Sequence, residues 1–180
     1  MGRLLAACVV LRLHDDAGPV GTTAIDKRPV DGPVKVVKFG LYADVQADRK
    51  HHGGEDKAVY AYAAEDADWW AEQLQRDIPP GSFGENLRVD GVDVNNARVG
   101  ERWRIGDVVL EVTMPRTPCS TFARWMGEER NGWVRRFSDA RRLGAYLRVV
   151  KTGRLTAGDE IEIIPAPEGA PTILDIYTGV

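Results

Sequence analysis

Cysteine is almost missing from this chain. Only Cys8 and Cys119 occur in 180 residues, too few for a disulfide framework, and neither sits in a Cys-x-x-Cys spacing that would hold zinc or an iron–sulfur cluster. Long apolar runs are missing as well. The N-terminal run over residues 4–13 is about half of the ~20 residues that a membrane helix needs, and Arg12 interrupts it. His14, Asp15 and Asp16 follow it without a small-residue cleavage site, so it reads as a buried strand rather than a signal peptide. No Gly-x-Ser-x-Gly elbow, P-loop or Gly-x-Gly-x-x-Gly fingerprint occurs, and no internal repeat. Neither sign of charge dominates: a net charge of −3 gives no general electrostatic reason to expect nucleic acid or an anionic membrane as partner. These absences lead to the expectation of a cytoplasmic protein with reduced thiols, in which any anion site is local.

What is present is an ordinary globular composition, 43% apolar and 28% charged, in a chain suited to one domain. The expected organisation is a single domain over residues 1–165 and a Pro/Gly-containing tail over 166–180. Strand patterns dominate. Residues 34–39 are rich in β-branched side chains. Residues 99–105 and 108–114 flank Gly106-Asp107 and read as a hairpin, with Val108, Leu110, Val112 and Met114 on one face. Residues 143–150 and 160–164 read as a further strand pair. Helical periodicity is confined to residues 63–74, to a segment after Cys119 where Phe122, Trp125 and Met126 share a stripe, and to residues 133–140. Many strands joined by Gly-Asp turns predict a mainly β, barrel-like α+β fold. Residues 42–56 and 78–85 show no clear period, and long polar connections of this kind are often functional.

Four segments carry groups able to do chemistry. Cys119 lies in Pro115-Arg116-Thr117-Pro118-Cys119, where the prolines fix their own φ and bias their predecessors away from helix. A helix starting there and the neighbouring Arg116 both favour a thiolate, which is a nucleophile and a soft metal ligand. The bland alternative is a small buried hydrophobe, and that alternative holds for Cys8. Lys27 and Arg28, before Pro29, offer cations to a phosphate, or form a solvated turn. Residues 44–57 place Arg49, Lys50 and Lys57 around Gly53 and Gly54, whose backbone can approach an anion closely. His51 and His52 lack an evident third metal ligand, so His52 reads as a hydrogen-bonding residue. In residues 80–87, Ser82 and Asn86 are polar hooks in a glycine-rich loop, or parts of a plain turn into a strand.

Taken in order, these segments resemble the MOSC family, the domain found at the C-terminus of molybdenum-cofactor sulfurases, in its YiiM-like branch. The matching stretches are Thr23 to Val30 with Gly32-Pro33-Val34, Gln46-Ala47-Asp48 with His52-Gly53-Gly54 and Asp56-Lys57-Ala58-Val59, Gly81 to Leu87, and Pro115-Arg116-x-Pro118-Cys119. Ala43 and the run Ser120 to Arg124 depart from the pattern. The resemblance implies a pyranopterin molybdenum cofactor with Cys119 as sulfur ligand to the metal. It implies reduction of N-hydroxylated small molecules, with electrons from a separate donor protein. Lys27, Arg28, Arg49 and Arg116 then become the residues for phosphate or pterin, and His52, Gly54, Ser82 and Asn86 the polar contacts. The same thiol would serve a sulfur carrier holding a persulfide, or a non-catalytic cofactor-binding module.

Overall fold

The computed structural model describes residues 1–45 and 53–179. In chain order the elements are β1 (Gly2–Val10), β2 (His14–Asp15), β3 (Thr22–Thr23), β4 (Lys27–Pro29), β5 (Val34–Val37), β6 (Gly40–Leu41), β7 (Val59–Ala63), α1 (Ala64–Leu74), β8 (Leu87–Asp90), β9 (Arg102–Ile105), β10 (Val108–Pro115), α2 (Ser120–Met126), α3 (Trp133–Ala140), β11 (Ala145–Lys151), β12 (Gly153–Leu155), β13 (Glu160–Ile164) and α4 (Ile173–Thr178).

Seven strands close into a barrel. β13, β9, β10, β11, β7, β8 and β1 are successive neighbours, and β13 returns to β1 through Gly2–Ile161 and Arg3–Glu160. Closure leaves the barrel without a free edge. Among the described residues every pairing is antiparallel except β7 with β8. A parallel pair needs a crossover, and α1 supplies it. The expected mainly β barrel with a few helices is the fold observed.

Alternation explains how the barrel and the helices share one wall. In β7, Val59, Ala61 and Ala63 enter the barrel core, while Tyr60 and Tyr62, one residue out of phase, enter a second core beneath the helices. That second core is aromatic. Trp70 of α1 stacks on Phe137 of α3 at 5.5 Å between centroids, and Phe122 of α2 meets Phe137 edge to face at 5.0 Å. In β10, Val108, Leu110 and Val112 are fully buried, matching the alternation in the sequence. Gly106 takes φ 56° in the turn that follows β9, a conformation that glycine adopts without strain.

Three expectations need correction. β1 stops at Val10, and Leu11 and Leu13 are 62% and 52% exposed, because the chain turns there into the β2–β3 hairpin. β11 and β13 do not pair with each other. β11 lies between β10 and β7, β13 lies between β9 and β1, and β12 leaves the barrel to join β5. Both edges of each barrel strand are therefore already used. The third concerns residues 166–180, expected as a Pro/Gly-containing tail. Past its proline-rich stretch it forms α4, which opens on a Thr172–Asp175 capping box. Its Ile173 is fully buried in the barrel core. Among the described residues no helix is long and apolar enough to cross a membrane.

Candidate functional site

The end of β10, the start of α2 and the β2–β3 hairpin enclose a cavity of about 140 Å³. Arg116, Cys119, Tyr60 and Tyr146 line one side. Val20, Thr22 and Ile25 of the hairpin region form the other, and Lys27, Asp44, Asn86 and Lys57 complete the wall.

The Pro115–Cys119 turn is placed by the sheet. Pro115 pairs with Ala145 in β11, and the Arg116 amide donates to the Gly144 carbonyl at 3.4 Å. Cys119 is the residue before α2, in extended conformation at φ −139°, and its thiol is half-buried. Arg116 is only 7% exposed. Its guanidinium lies over three rings, 3.8 Å from the Phe122 centroid, 5.4 Å from Tyr60 and 5.9 Å from Phe137. Its Nη1 has no hydrogen-bond partner, and no carboxylate pairs with it among the described residues. Burial works against its charge, but Tyr60, Tyr146 and Cys119 outweigh burial and raise its pKa. The side chain is a nearly desolvated cation facing the cavity, without a counter-ion among the described residues.

The other cations differ. Lys27 is also buried, but its Nζ is paired with Asp44 Oδ2. The same carboxylate accepts from Asn86 Nδ2 at 2.7 Å and from the Val10 amide at 2.9 Å. Asn86 is saturated in turn: its Nδ2 also donates to the Cys8 carbonyl at 3.2 Å, and its Oδ1 accepts from the Tyr60 amide at 3.1 Å. Lys27, Asp44 and Asn86 thus tie β1, β4, β7 and the chain before β8 into one wall whose polar groups are spent on each other.

Of the residues expected at the site, Lys27, Asn86, Arg116 and Cys119 converge on this cavity. Arg28, Gly54 and Ser82 are not among its lining residues. Arg28 pairs with Asp26 at 2.9 Å and is half exposed. The Ser82 hydroxyl donates to the Pro79 carbonyl at 2.6 Å. Gly54, at φ 107°, opens a 3₁₀ turn over Glu55–Lys57. Arg49 and His52 lie outside the described residues. The glycine-rich loop owes its shape to Glu85, whose carboxylate accepts from the Gly81 and Phe83 amides and pairs with buried Arg88.

Sequence reasoning missed Tyr60, Tyr146, Asp44 and the hairpin. The tyrosines resemble ordinary strand residues, and only the Tyr60–Tyr146 register of β7 and β11 puts them together. The hairpin is latched onto α2 by Asp16. Asp16 accepts from Arg124 Nε and Nη2, both at 2.7 Å, and from the Thr121 hydroxyl at 3.0 Å. Asp16 left a signal in the sequence only as one of several acidic residues.

Cys8, by contrast, is fully buried, and burial pushes its thiol up to about 12. No cluster of three or more His, Cys, Asp or Glu able to hold a metal ion occurs among the described residues. Among the described residues, a metal at Cys119 would therefore find few other protein ligands and would have to bring its own. The sulfur of a pyranopterin dithiolene would do so, and an arginine with no counter-ion among the described residues, lining the same cavity as Cys119, suits so anionic a group. The residues present therefore fit such a cofactor.

Comparison with known proteins agrees with this picture. A family model described as the MOSC domain matches residues 48–162. The uncharacterized protein YflK of Bacillus subtilis is 36% identical over 146 residues, 81% of this chain and 65% of YflK. A protein of Gibberella moniliformis named "Reductase" is 34% identical over 167 residues, 86% of this chain but 28% of that protein. The chain thus spans only part of the length of these two relatives. The crystal structure of YiiM from Geobacillus stearothermophilus superposes with a TM-score of 0.79 at 27% identity, covering 98% of this chain and 82% of that one. The matched family region runs from before β7 into β13 and carries Arg116, Cys119 and Tyr146, and on that match the chain belongs to the MOSC domain family.

Proposed function

We propose that this protein binds a pyranopterin molybdenum cofactor in the cavity and reduces N-hydroxylated small molecules to their amine-level products. The observation that carries the reading is the pairing, in one cavity, of the half-buried Cys119 thiol with the buried Arg116 cation, which has no counter-ion among the described residues. A site built only for packing would not retain such a charge. MOSC domains are associated with the molybdenum cofactor, and the relative named "Reductase" favours reduction over sulfur transfer.

In this reading Cys119 supplies the protein's sulfur to the metal, and Arg116 holds the anionic metal end. Lys57 adds positive charge, its ammonium 5.9 Å from the Tyr146 ring centroid. Lys27 and Asn86 keep the opposite wall rigid. When bound, the cofactor supplies the redox chemistry, and the chain supplies orientation, exclusion of water and protons. Val20, Thr22 and Ile25 line the opposite side of the cavity, where the substrate would approach. Electrons come from a separate donor protein.

Elemental analysis of protein made in a host with intact cofactor synthesis tests the reading. Wild type should carry molybdenum and reduce an amidoxime with electrochemically reduced methyl viologen as donor, and Cys119→Ala should do neither. A folded wild-type protein without molybdenum sinks the reading. A persulfide on Cys119 after incubation with a cysteine desulfurase, seen by mass spectrometry in such a protein, replaces it with sulfur transfer.

A further inference from the structure

Outside the barrel, β12, β5 and β6 form a small sheet with β5 in the middle. Its inner face is apolar: Val34, Val36, Leu41 and Leu155 are buried in the barrel core. Alternation sends the residues between them outward. Lys35 stands directly opposite Arg154 of β12. On its other side, the Lys35 carbonyl accepts from the Tyr42 amide at 2.7 Å. Arg154, Lys35 and Tyr42 therefore form one row across the outer face, and all three are exposed.

Like charges directly opposite each other on a sheet repel. Among the described residues, the side chains of Lys35 and Arg154 have no carboxylate partner to relieve that repulsion. Asp107 approaches Arg154 through its backbone amide, which donates to the Arg154 carbonyl at 3.1 Å. Neighbouring Lys38, by contrast, pairs with Glu55 at 2.7 Å. Lys35 lies on the central strand, so it guards no sheet edge. In a chain of net charge −3, a row carrying only cations is a local departure. Apolar surface lies beside it: Phe39, Tyr42 and Val45 are 53%, 66% and 45% exposed. Exposed rings beside arginine are the composition of a protein-binding patch. The patch leads into the cavity. Val45 lines the cavity, and so does Asp44, two residues after Tyr42. Gly40 of β6 lies so close to the carbonyl of Ala58, another lining residue, that a Cβ there would clash with it.

We propose that this face docks an acidic surface of the electron-donor protein, which brings the donor's redox group to the cavity rim at Val45. The proposal rests on the reductase reading above and says where its partner sits. Each turnover puts two electrons and two protons into the N–O bond, which breaks to give the amine-level product and water. The docked donor supplies the electrons, and solvent supplies the protons. Electron-transfer encounters bury little surface, as a small sheet face does, and long-range attraction sets their rate. Lys35 and Arg154 steer the donor, and Tyr42 gives it a ring to pack on. Two cations are too few to track a run of phosphates, so the row suits an acidic protein better than a nucleic acid.

Two measurements test it. The first uses molybdenum-loaded protein with benzamidoxime as substrate. Reduced flavodoxin and a reduced plant-type ferredoxin, both acidic, are the protein donors. Electrochemically reduced methyl viologen is the small donor that needs no docking face. The double variant Lys35→Glu with Arg154→Glu keeps a like-charge pair, so the sheet is no worse off. It should raise the KM for the protein donors by about tenfold at low salt and flatten its dependence on added NaCl. Its turnover with methyl viologen should stay within about twofold of wild type. Arg154→Glu alone turns the repulsion into an attraction, so it should raise the urea midpoint and still raise the donor KM. A double variant whose protein-donor KM stays within about twofold of wild type overturns the proposal. So does a wild type that methyl viologen drives and neither protein donor drives. The reductase reading survives both results. The second measurement needs no turnover. Amide ¹⁵N shifts of cofactor-free protein titrated with oxidised flavodoxin should cluster on β5, β6 and β12 and vanish in the double variant. Shifts on another face, no shifts, or equal shifts with a DNA duplex overturn the docking site. Loaded wild type that reduces no N-hydroxylated probe with methyl viologen refutes the reductase reading, and the shift map then decides by itself whether the face takes an acidic protein.

Discussion

Replacing Arg116 with methionine separates a functional cation from a structural one. Methionine fills a similar volume with a flexible apolar chain. In the cofactor-free protein it removes a charge that is 7% exposed, has no carboxylate partner among the described residues, and has one nitrogen with no hydrogen-bond partner. Holding a cation out of water costs several kcal/mol, and exchanging buried charge for apolar packing often stabilises by about 1–4 kcal/mol. The ring faces around Arg116 oppose that gain. The nearest, Phe122 at 3.8 Å, is worth up to about 2 kcal/mol, and the other two less. The balance favours Arg116→Met by about 1–3 kcal/mol, or roughly 3–10 °C in Tm for a domain of this size. Urea denaturation of the two cofactor-free proteins measures the difference, and elemental analysis of both from a cofactor-sufficient host measures what the charge is for. The expected pattern is a variant at least as stable as wild type with little molybdenum. A loss of more than about 2 kcal/mol refutes the reasoning, because the guanidinium would then be part of the packing and its effect on the cofactor indirect.

Asp16→Asn should weaken the latch between the hairpin and α2, costing about 1–3 kcal/mol through the loss of charge-assisted bonds from Arg124, as read from urea midpoints. The hydrogen bonds from Arg124 hold the Asp16 carboxyl below its ordinary value of 3.8. Its contribution is therefore full above that pH and lost as pH falls through the lower folded value, and an acid titration of stability should lose this increment in Asp16→Asn. Thiol titration of cofactor-free protein with an aromatic disulfide near pH 8 should count one cysteine. Cys119→Ser should then count none, because Cys8 is fully buried with its thiol pushed to about 12. Ser82→Ala should leave the molybdenum content unchanged, since the hydroxyl is spent on the Pro79 carbonyl and Ser82 is not itself a lining residue of the cavity.

The barrel was legible wherever local pattern determines burial. The alternation of Val108, Leu110 and Val112 identifies the inward face of β10 without knowledge of its neighbours, and the stripe of Phe122 and Met126 does the same for α2. Pattern does not say which strands meet. Nothing local in residues 145–151 or 160–164 shows that β13 must close the barrel on β1. The end of the chain was misread because Pro165, Pro167 and Pro171 dominate its composition. The capping signal at Thr172 and Asp175, followed by Ile173 and Leu174, was present and was the better guide. At the site, the Pro-Arg-x-Pro-Cys frame drew attention to Arg116 and Cys119 because its stiffness is local. Tyr146 was not legible. Its place in the cavity lining depends on a cross-strand register with Tyr60.

Cations are easy to count in a sequence, but their availability depends on pairing across long separations. Lys27 carries the same unit charge as Arg116 and is nearly as buried, 8% against 7% exposed. Its charge is cancelled by Asp44, which a local reading places in a different loop. Arg28 is spent on Asp26. Arg116 alone among these three keeps its charge uncompensated within the cavity, although burial raises the cost of doing so. An anionic group entering the cavity would find Lys27 already neutralised and gain little from it. At Arg116 it would relieve an existing electrostatic cost and gain a charge-assisted bond. The binding energy should therefore be concentrated on the wall that carries Cys119, and Lys27→Met should weaken binding mainly by leaving Asp44 without its partner. A double variant, Lys27→Met with Asp44→Leu, removes both charges and separates the two effects. If it retains most of the molybdenum that Lys27→Met loses, Lys27 serves the wall. If it loses as much, Lys27 contacts the cofactor directly and the electrostatic argument for Arg116 is incomplete.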